Sequence, residues 1–176
     1  LTDRVVEWKY MDSVAGKHYF ITLSEAANGA VIAVTGKERT IVLPESHRIL
    51  SEGFSVGGKL FVLAMEDVSS RLVRVSDGVN VPLPSAFGAL ELAGESNNGL
   101  FLLFESFLDA PRILHFDGDV LTEVAVSSEQ TYPELVVEQG FAPSTEDAKP
   151  IPYYIVRRAD AEKNGNNPTF IHAYGG

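Results

Sequence analysis

The feature that most restricts what this chain can fold into is a rhythm of about forty residues. Phe20, Phe61 and Phe101 stand in the short apolar runs His18–Leu23, Leu60–Met65 and Leu100–Phe104, separated by 41 and then 40 residues, and are expected to occupy matching places in successive units. Apolar runs this short, rich in aromatic and branched side chains, read as strands. A second run follows each at Ala30–Val34, Leu72–Val75 and Ile113–Phe116, and each then meets a glycine in Thr35-Gly36, Ser76-Asp77-Gly78 or Asp117-Gly118. Tight hairpins need positive φ, which glycine adopts without steric penalty. Third runs lie at Thr40–Leu43, Val79–Leu83 and Val120–Val126, and a further apolar segment precedes the strongest strand of the later units at His47–Val56 and Phe87–Ala93. Four short antiparallel strands per unit, at this period, is the pattern of propeller blades. A sandwich also offers short strands, but nothing in it requires so regular a register. Three blades do not close a ring, which takes about four to eight. The expectation is a mainly β chain, with about three blades of a partial β-propeller over residues 1–128.

The stretch Gly53-Phe54-Ser55-Val56-Gly57 matches G-x-S-x-G, the turn that presents a hydrolase nucleophile. That turn needs a strand before the serine and a helix after it. Here Gly57-Gly58 and another strand follow, so Ser55 is expected in the linker between the first and second strands of a blade, with no catalytic role.

After Val126 the rhythm stops. Residues 127–150 are rich in Ser and Pro around an extended run, Leu135–Phe141. Ile151–Val156 and Thr169–Ala173 read as further strands, with a hairpin at Ser144–Lys149 and an Asn-rich loop at 164–167. Pro150 and Pro152 suit an edge strand, because proline cannot donate to a ladder. A boundary is expected near residue 128, with a second architecture over 129–176. Leu1 in place of Met and the terminal Gly175-Gly176 are expected marks of a fragment.

Charge and composition exclude several classes. A net charge of −10 with no basic run argues against nucleic acid and anionic membrane as partners. Absence of Cys rules out disulfides and thiolate metal sites, and it favours a cytoplasmic over a periplasmic setting. The apolar runs fall far short of the roughly 20 residues of a membrane-spanning helix. His18, His47, His115 and His172 have no ligand spacing, so no metal is expected. Asp117-Gly118-Asp119 lacks the alternating oxygens of a calcium loop and reads as a hairpin turn. Ser106 is expected to support a turn, and Trp8 and Tyr10 to pack. No phosphate loop is present, and no cofactor is expected.

Three segments, in order, resemble the prolyl oligopeptidase family of serine peptidases. FESFLDAP (Phe104–Pro111) with RILHFD (Arg112–Asp117) is similar to that family's last propeller blade. FAPSTEDAKPIPYYIVRR (Phe141–Arg158) is similar to the first hairpin of its catalytic domain, although its loop has one extra residue and lacks the glycine of the usual D-G-T-K-I-P. NPTFIHAYGG (Asn167–Gly176) resembles the strand entering the family's Y-G-Y-G-G motif, with His172-Ala173 in place of the first Tyr-Gly. The resemblance implies a seven-bladed propeller followed by an α/β-hydrolase domain, of which this chain would hold the last blades and the first strands. It implies hydrolysis of short peptides after proline, or after basic residues, with the propeller limiting substrate size. By the same resemblance the Ser, Asp and His of the triad lie outside this chain, and Tyr174 matches the tyrosine whose hydroxyl stabilises the oxyanion. The implied partners are the peptide substrate and the rest of the catalytic domain, in a protein that is monomeric at full length. The alternative is a propeller that binds without catalysis. Segment 129–176 distinguishes the two, because a pure propeller needs no such ending.

Overall fold

A computed structural model describes residues 8–24 and 26–173. Among the described residues of the first 130, twelve strands form three four-stranded antiparallel sheets, each strand paired with its sequence neighbour. The first blade holds β1 (Trp8–Val14), β2 (Lys17–Thr22), β3 (Ala30–Thr35) and β4 (Glu38–Leu43). The second holds β5 (Ile49–Val56), β6 (Lys59–Glu66), β7 (Ser69–Arg74) and the two-residue β8 (Asn80–Val81). The third holds β9 (Gly88–Ser96), β10 (Gly99–Ser106), β11 (Arg112–Phe116) and β12 (Leu121–Val126). These are propeller blades, as the forty-residue rhythm predicts.

Each blade buries its faces against its neighbour. Met11, Ile21 and Val31 of the first blade pack on Leu50, Val62, Ala64 and Val73 of the second. The opposite face of the second blade, through Phe54, Phe61, Leu63 and Leu72, packs on Leu100, Leu102, Phe104, Leu114 and Phe116 of the third. Phe61 meets Phe116 edge to face at 4.8 Å, an arrangement that aromatic quadrupoles favour. Side chains alternate across a strand, so a strand buried on both faces reads as one unbroken apolar run. Leu60–Met65 is such a run: Phe61 and Leu63 serve one interface, Val62 and Ala64 the other.

The register corrects one expectation. Phe20, Phe61 and Phe101 all lie on the second strand of their blades, but they are not equivalent. Counted from the preceding hairpin, where Val14 pairs Lys17, Val56 pairs Lys59 and Ser96 pairs Gly99, the residue matching Phe61 and Phe101 is Tyr19. Phe20 points to the opposite face, beside Trp8 and Tyr10, with ring centroids 5.4 Å from each. A one-residue offset exchanges faces in a strand.

The described residues from 131 onward form a second compact unit. Its β13 (Leu135–Pro143) and β14 (Pro150–Arg158) pair antiparallel without a bulge, from Leu135 opposite Arg158 to Pro143 opposite Pro150. The connecting turn is closed by Ser144 N–H donating to the Lys149 carbonyl at 2.8 Å. Ala148 holds φ at +58°, in the left-handed region that glycine occupies more readily. The strand expected at Thr169–Ala173 does not form: the segment has no ladder partner among the described residues, and Phe170 and Ile171 are 88% and 83% exposed. An isolated extended segment has no carbonyls to satisfy its amides, so it does not become a strand.

Candidate functional site

Every residue of the Gly53–Gly57 stretch has a structural reason to be there. A Cβ on Gly53 would lie 2.4 Å from the Met11 methyl carbon, so glycine lets the second blade approach the first. Phe54 is buried and stacks on Phe61 at 6.4 Å. Ser55 lies within β5, not in the linker, opposite Leu60, because the strand runs on to Val56. Its hydroxyl donates across the blade interface to Asp12 Oδ2, and Asp12 Oδ1 accepts from the Ser13 amide at 2.6 Å. Gly57 and Gly58, at φ +58° and +74°, make the two-residue turn into β6. No helix follows to support an oxyanion, and the serine is paired to a carboxylate rather than to a base.

The remaining sequence candidates have equally local roles. Ser106 Oγ accepts from the Asp109 amide at 3.0 Å and donates to its carboxylate at 2.6 Å, supporting a turn. Asp117 Oδ1 accepts from the amides of Asp119 and Val120 at 2.9 and 2.8 Å, and these bonds hold its carboxyl below the ordinary aspartate range. Asp119 is bound to Lys59 of the second blade. His18 shares a hydrogen with Ser13 Oγ at 2.6 Å, and His115 lies 3.2 Å from Ser96 Oγ. No group of three potential ligands gathers among the described residues. Trp8 packs on Phe20 and under the Arg39 guanidinium, 4.4 Å from the ring centre; Tyr10 joins this aromatic group but stays 53% exposed.

Two ion clusters went unread in the sequence, because their members come from separate strands. In the second blade, Glu66 accepts from His47 Nε2 at 2.5 Å and from Arg71 Nε at 2.9 Å, with Arg48 Nε at 3.5 Å. The His47 bond first, then both arginines, lower its pKa against an opposing effect of burial. In the second unit, Glu138 on β13 accepts from Arg157 of β14 at 2.5 Å and from Lys163 at 2.9 Å. Those two bonds, Arg157 foremost, bring its pKa from 4.5 down to about 2. The cluster ties the loop after β14 back to β13. That loop also closes on itself, through Asn167 Nδ2 to the Glu162 carbonyl at 2.6 Å.

This strapped loop leads to the segment 169–173, and Tyr174, the residue assigned to the oxyanion from the sequence, lies just outside the described residues. His172 is described, and is exposed.

No family model matches the chain. An uncharacterised peptidase of Sinorhizobium fredii is 24% identical over 169 residues, covering 85% of this chain and 23% of its own length. Among solved structures, one from an analysis of two prolyl endopeptidases superposes with a TM-score of 0.70 at 24% identity, over 92% of this chain and 25% of its own. Prolyl oligopeptidase B from Galerina marginata, as the apo protein, gives 0.71 at 17% identity with the same coverage. The chain thus spans about a quarter of the length of these relatives. Its fold is that of the matching quarter of the prolyl oligopeptidases, and the sequence relative is a peptidase.

Proposed function

We propose that this chain is part of a serine-type oligopeptidase that hydrolyses short peptides after proline, with the propeller limiting the size of substrate admitted. Residues 129–176 supply the first strands of its α/β-hydrolase domain, and the Ser, Asp and His of the triad come from the rest of the protein. The observation that carries this reading is the order of parts: three blades, then a long hairpin of different architecture, in a chain related to a peptidase. The hairpin suits a larger sheet, since Phe141, Ile151, Tyr153 and Ile155 expose apolar surface that a two-stranded ribbon has no means to bury. The binding-only alternative gives that ribbon no task.

In this reading Tyr174 donates its hydroxyl to the developing oxyanion. Such a donor contributes mainly in the transition state, so its loss lowers kcat and leaves KM nearly unchanged. Tyr174→Phe in the full-length protein is expected to reduce kcat by roughly two to three orders of magnitude on a proline-containing peptide. An unchanged kcat would remove Tyr174 from the mechanism.

A further inference from the structure

We infer that Asn164 is a site of spontaneous covalent modification, converting through a cyclic imide to aspartate and isoaspartate, and that the folded protein confines this chemistry to Asn164 among three Asn-Gly pairs. The step is an intramolecular acyl transfer. The deprotonated backbone nitrogen of the following glycine attacks the asparagine Cγ, the Cγ–Nδ2 bond breaks and ammonia leaves. Water then opens either carbonyl of the imide, giving aspartate or its isomer with one extra methylene in the main chain. No oxidant or second protein is needed. What is needed is a glycine nitrogen that can swing onto the side chain, because a Cβ there would obstruct the approach and a backbone held by hydrogen bonds cannot rotate.

The chain offers this dipeptide at Asn28-Gly29, Asn98-Gly99 and Asn164-Gly165, and the structure treats the three differently. Gly29 is buried, its N–H donates to the Ala26 carbonyl at 2.8 Å, and the Asn28 side chain is held by the Ser46 carbonyl at 2.9 Å. Gly99 opens β10 opposite Ser96 and lies so close to β11 that a Cβ would meet the Phe116 carbonyl oxygen at 2.3 Å. Neither nitrogen is free to turn while its blade is intact. Gly165 has φ +81°, lies in no strand and is exposed, with no atom within 4 Å of where a Cβ would be. Among the described residues no backbone carbonyl accepts from its N–H. Asn164 is exposed as well, with Oδ1 accepting from the Asn166 amide at 3.0 Å and Nδ2 donating to Glu162 at 3.1 Å.

The modification has a consequence for the loop. It replaces a donor to the Glu162 carboxylate by a second carboxylate, turning a hydrogen bond into a like-charge contact. The loop that leads towards residue 169 then loses one of its ties, so the reaction acts as an age-dependent loosening of that segment.

The test is peptide mapping by mass spectrometry after prolonged incubation of the full-length protein at mildly alkaline pH, native and in urea. Native protein is expected to gain one mass unit at Asn164 at least about tenfold faster than at Asn28 or Asn98, the protection that structured backbone gives. Urea should bring the three rates together. Hydrogen exchange over 159–168 should rise in N164D as in the aged protein. Equal native rates at the three pairs, a slower rate at Asn164, or no native reaction at Asn164 while urea permits it at all three would each overturn the inference. Unaltered exchange in N164D would overturn the loosening.

Discussion

Ser55 shows how a short motif is satisfied by packing alone. Its hydroxyl bridges two blades through Asp12, and the motif's two glycines serve a close approach at Gly53 and a turn at Gly57. Ser55→Ala should cost about 1 kcal/mol of stability, the size of one partly buried hydrogen bond, and leave peptide turnover by the full-length protein unchanged. A nucleophile would lose roughly six orders of magnitude, so steady-state kinetics on this variant separates the two roles. Val68 makes a complementary point. The turn between β6 and β7 is Asp67-Val68, with both residues at positive φ, +48° and +64°. A branched side chain is disfavoured there by about 1–2 kcal/mol, partly offset in a glycine variant by the greater freedom of its unfolded chain. Val68→Gly is therefore expected to stabilise the chain by roughly 0.5–1 kcal/mol in urea denaturation; destabilisation would mean that the turn is not strained.

At the scale of elements, the strands of each blade were readable because their apolar runs are short and glycine marks many turns. What escaped was facing. The spacing of 41 and 40 residues put Phe20 in line with Phe61, but hairpin register places Tyr19 there, and spacing alone does not report which side a residue faces. The Asp67-Val68 turn was invisible for the opposite reason, since it lacks the glycine its geometry favours. Segment 169–173 reads as a strand by composition, yet a strand is a relation between two segments, and the described residues provide no second one. In the packed interface, Phe116 is fully buried while Phe101 is only partly so. Phe116→Ala should destabilise this chain by about 3–5 kcal/mol, and Phe101→Ala by no more than about 1.5 kcal/mol. Equal losses in denaturant titrations would contradict the assigned facing.

Also at this scale, Glu138 links β13, β14 and the loop beyond. Its folded pKa of about 2 lies below the ordinary 4.5, so ionisation favours the tied form. The contribution is present above pH 4.5, declines as pH falls and is lost through about pH 2. Carboxyl NMR should show Glu138 titrating near 2, with Lys163 released in the same range; a midpoint near 4.5 would mean that the cluster does not hold in solution.

At the scale of the whole molecule, the chain joins three propeller blades to a ribbon with exposed apolar side chains, and it spans about a quarter of its peptidase relatives. The propeller was legible because repetition multiplies a weak signal. The proposed catalytic site rests on resemblance alone, because that reading places its nucleophile, base and acid outside these residues. The most direct measurement is labelling of the full-length protein with a serine-directed fluorophosphonate, followed by mapping of the modified peptide. A single labelled serine is expected outside these 176 residues, with labelling blocked by a proline-containing peptide substrate. Label on Ser55, or no labelled serine in a protein that cleaves peptides, would contradict it.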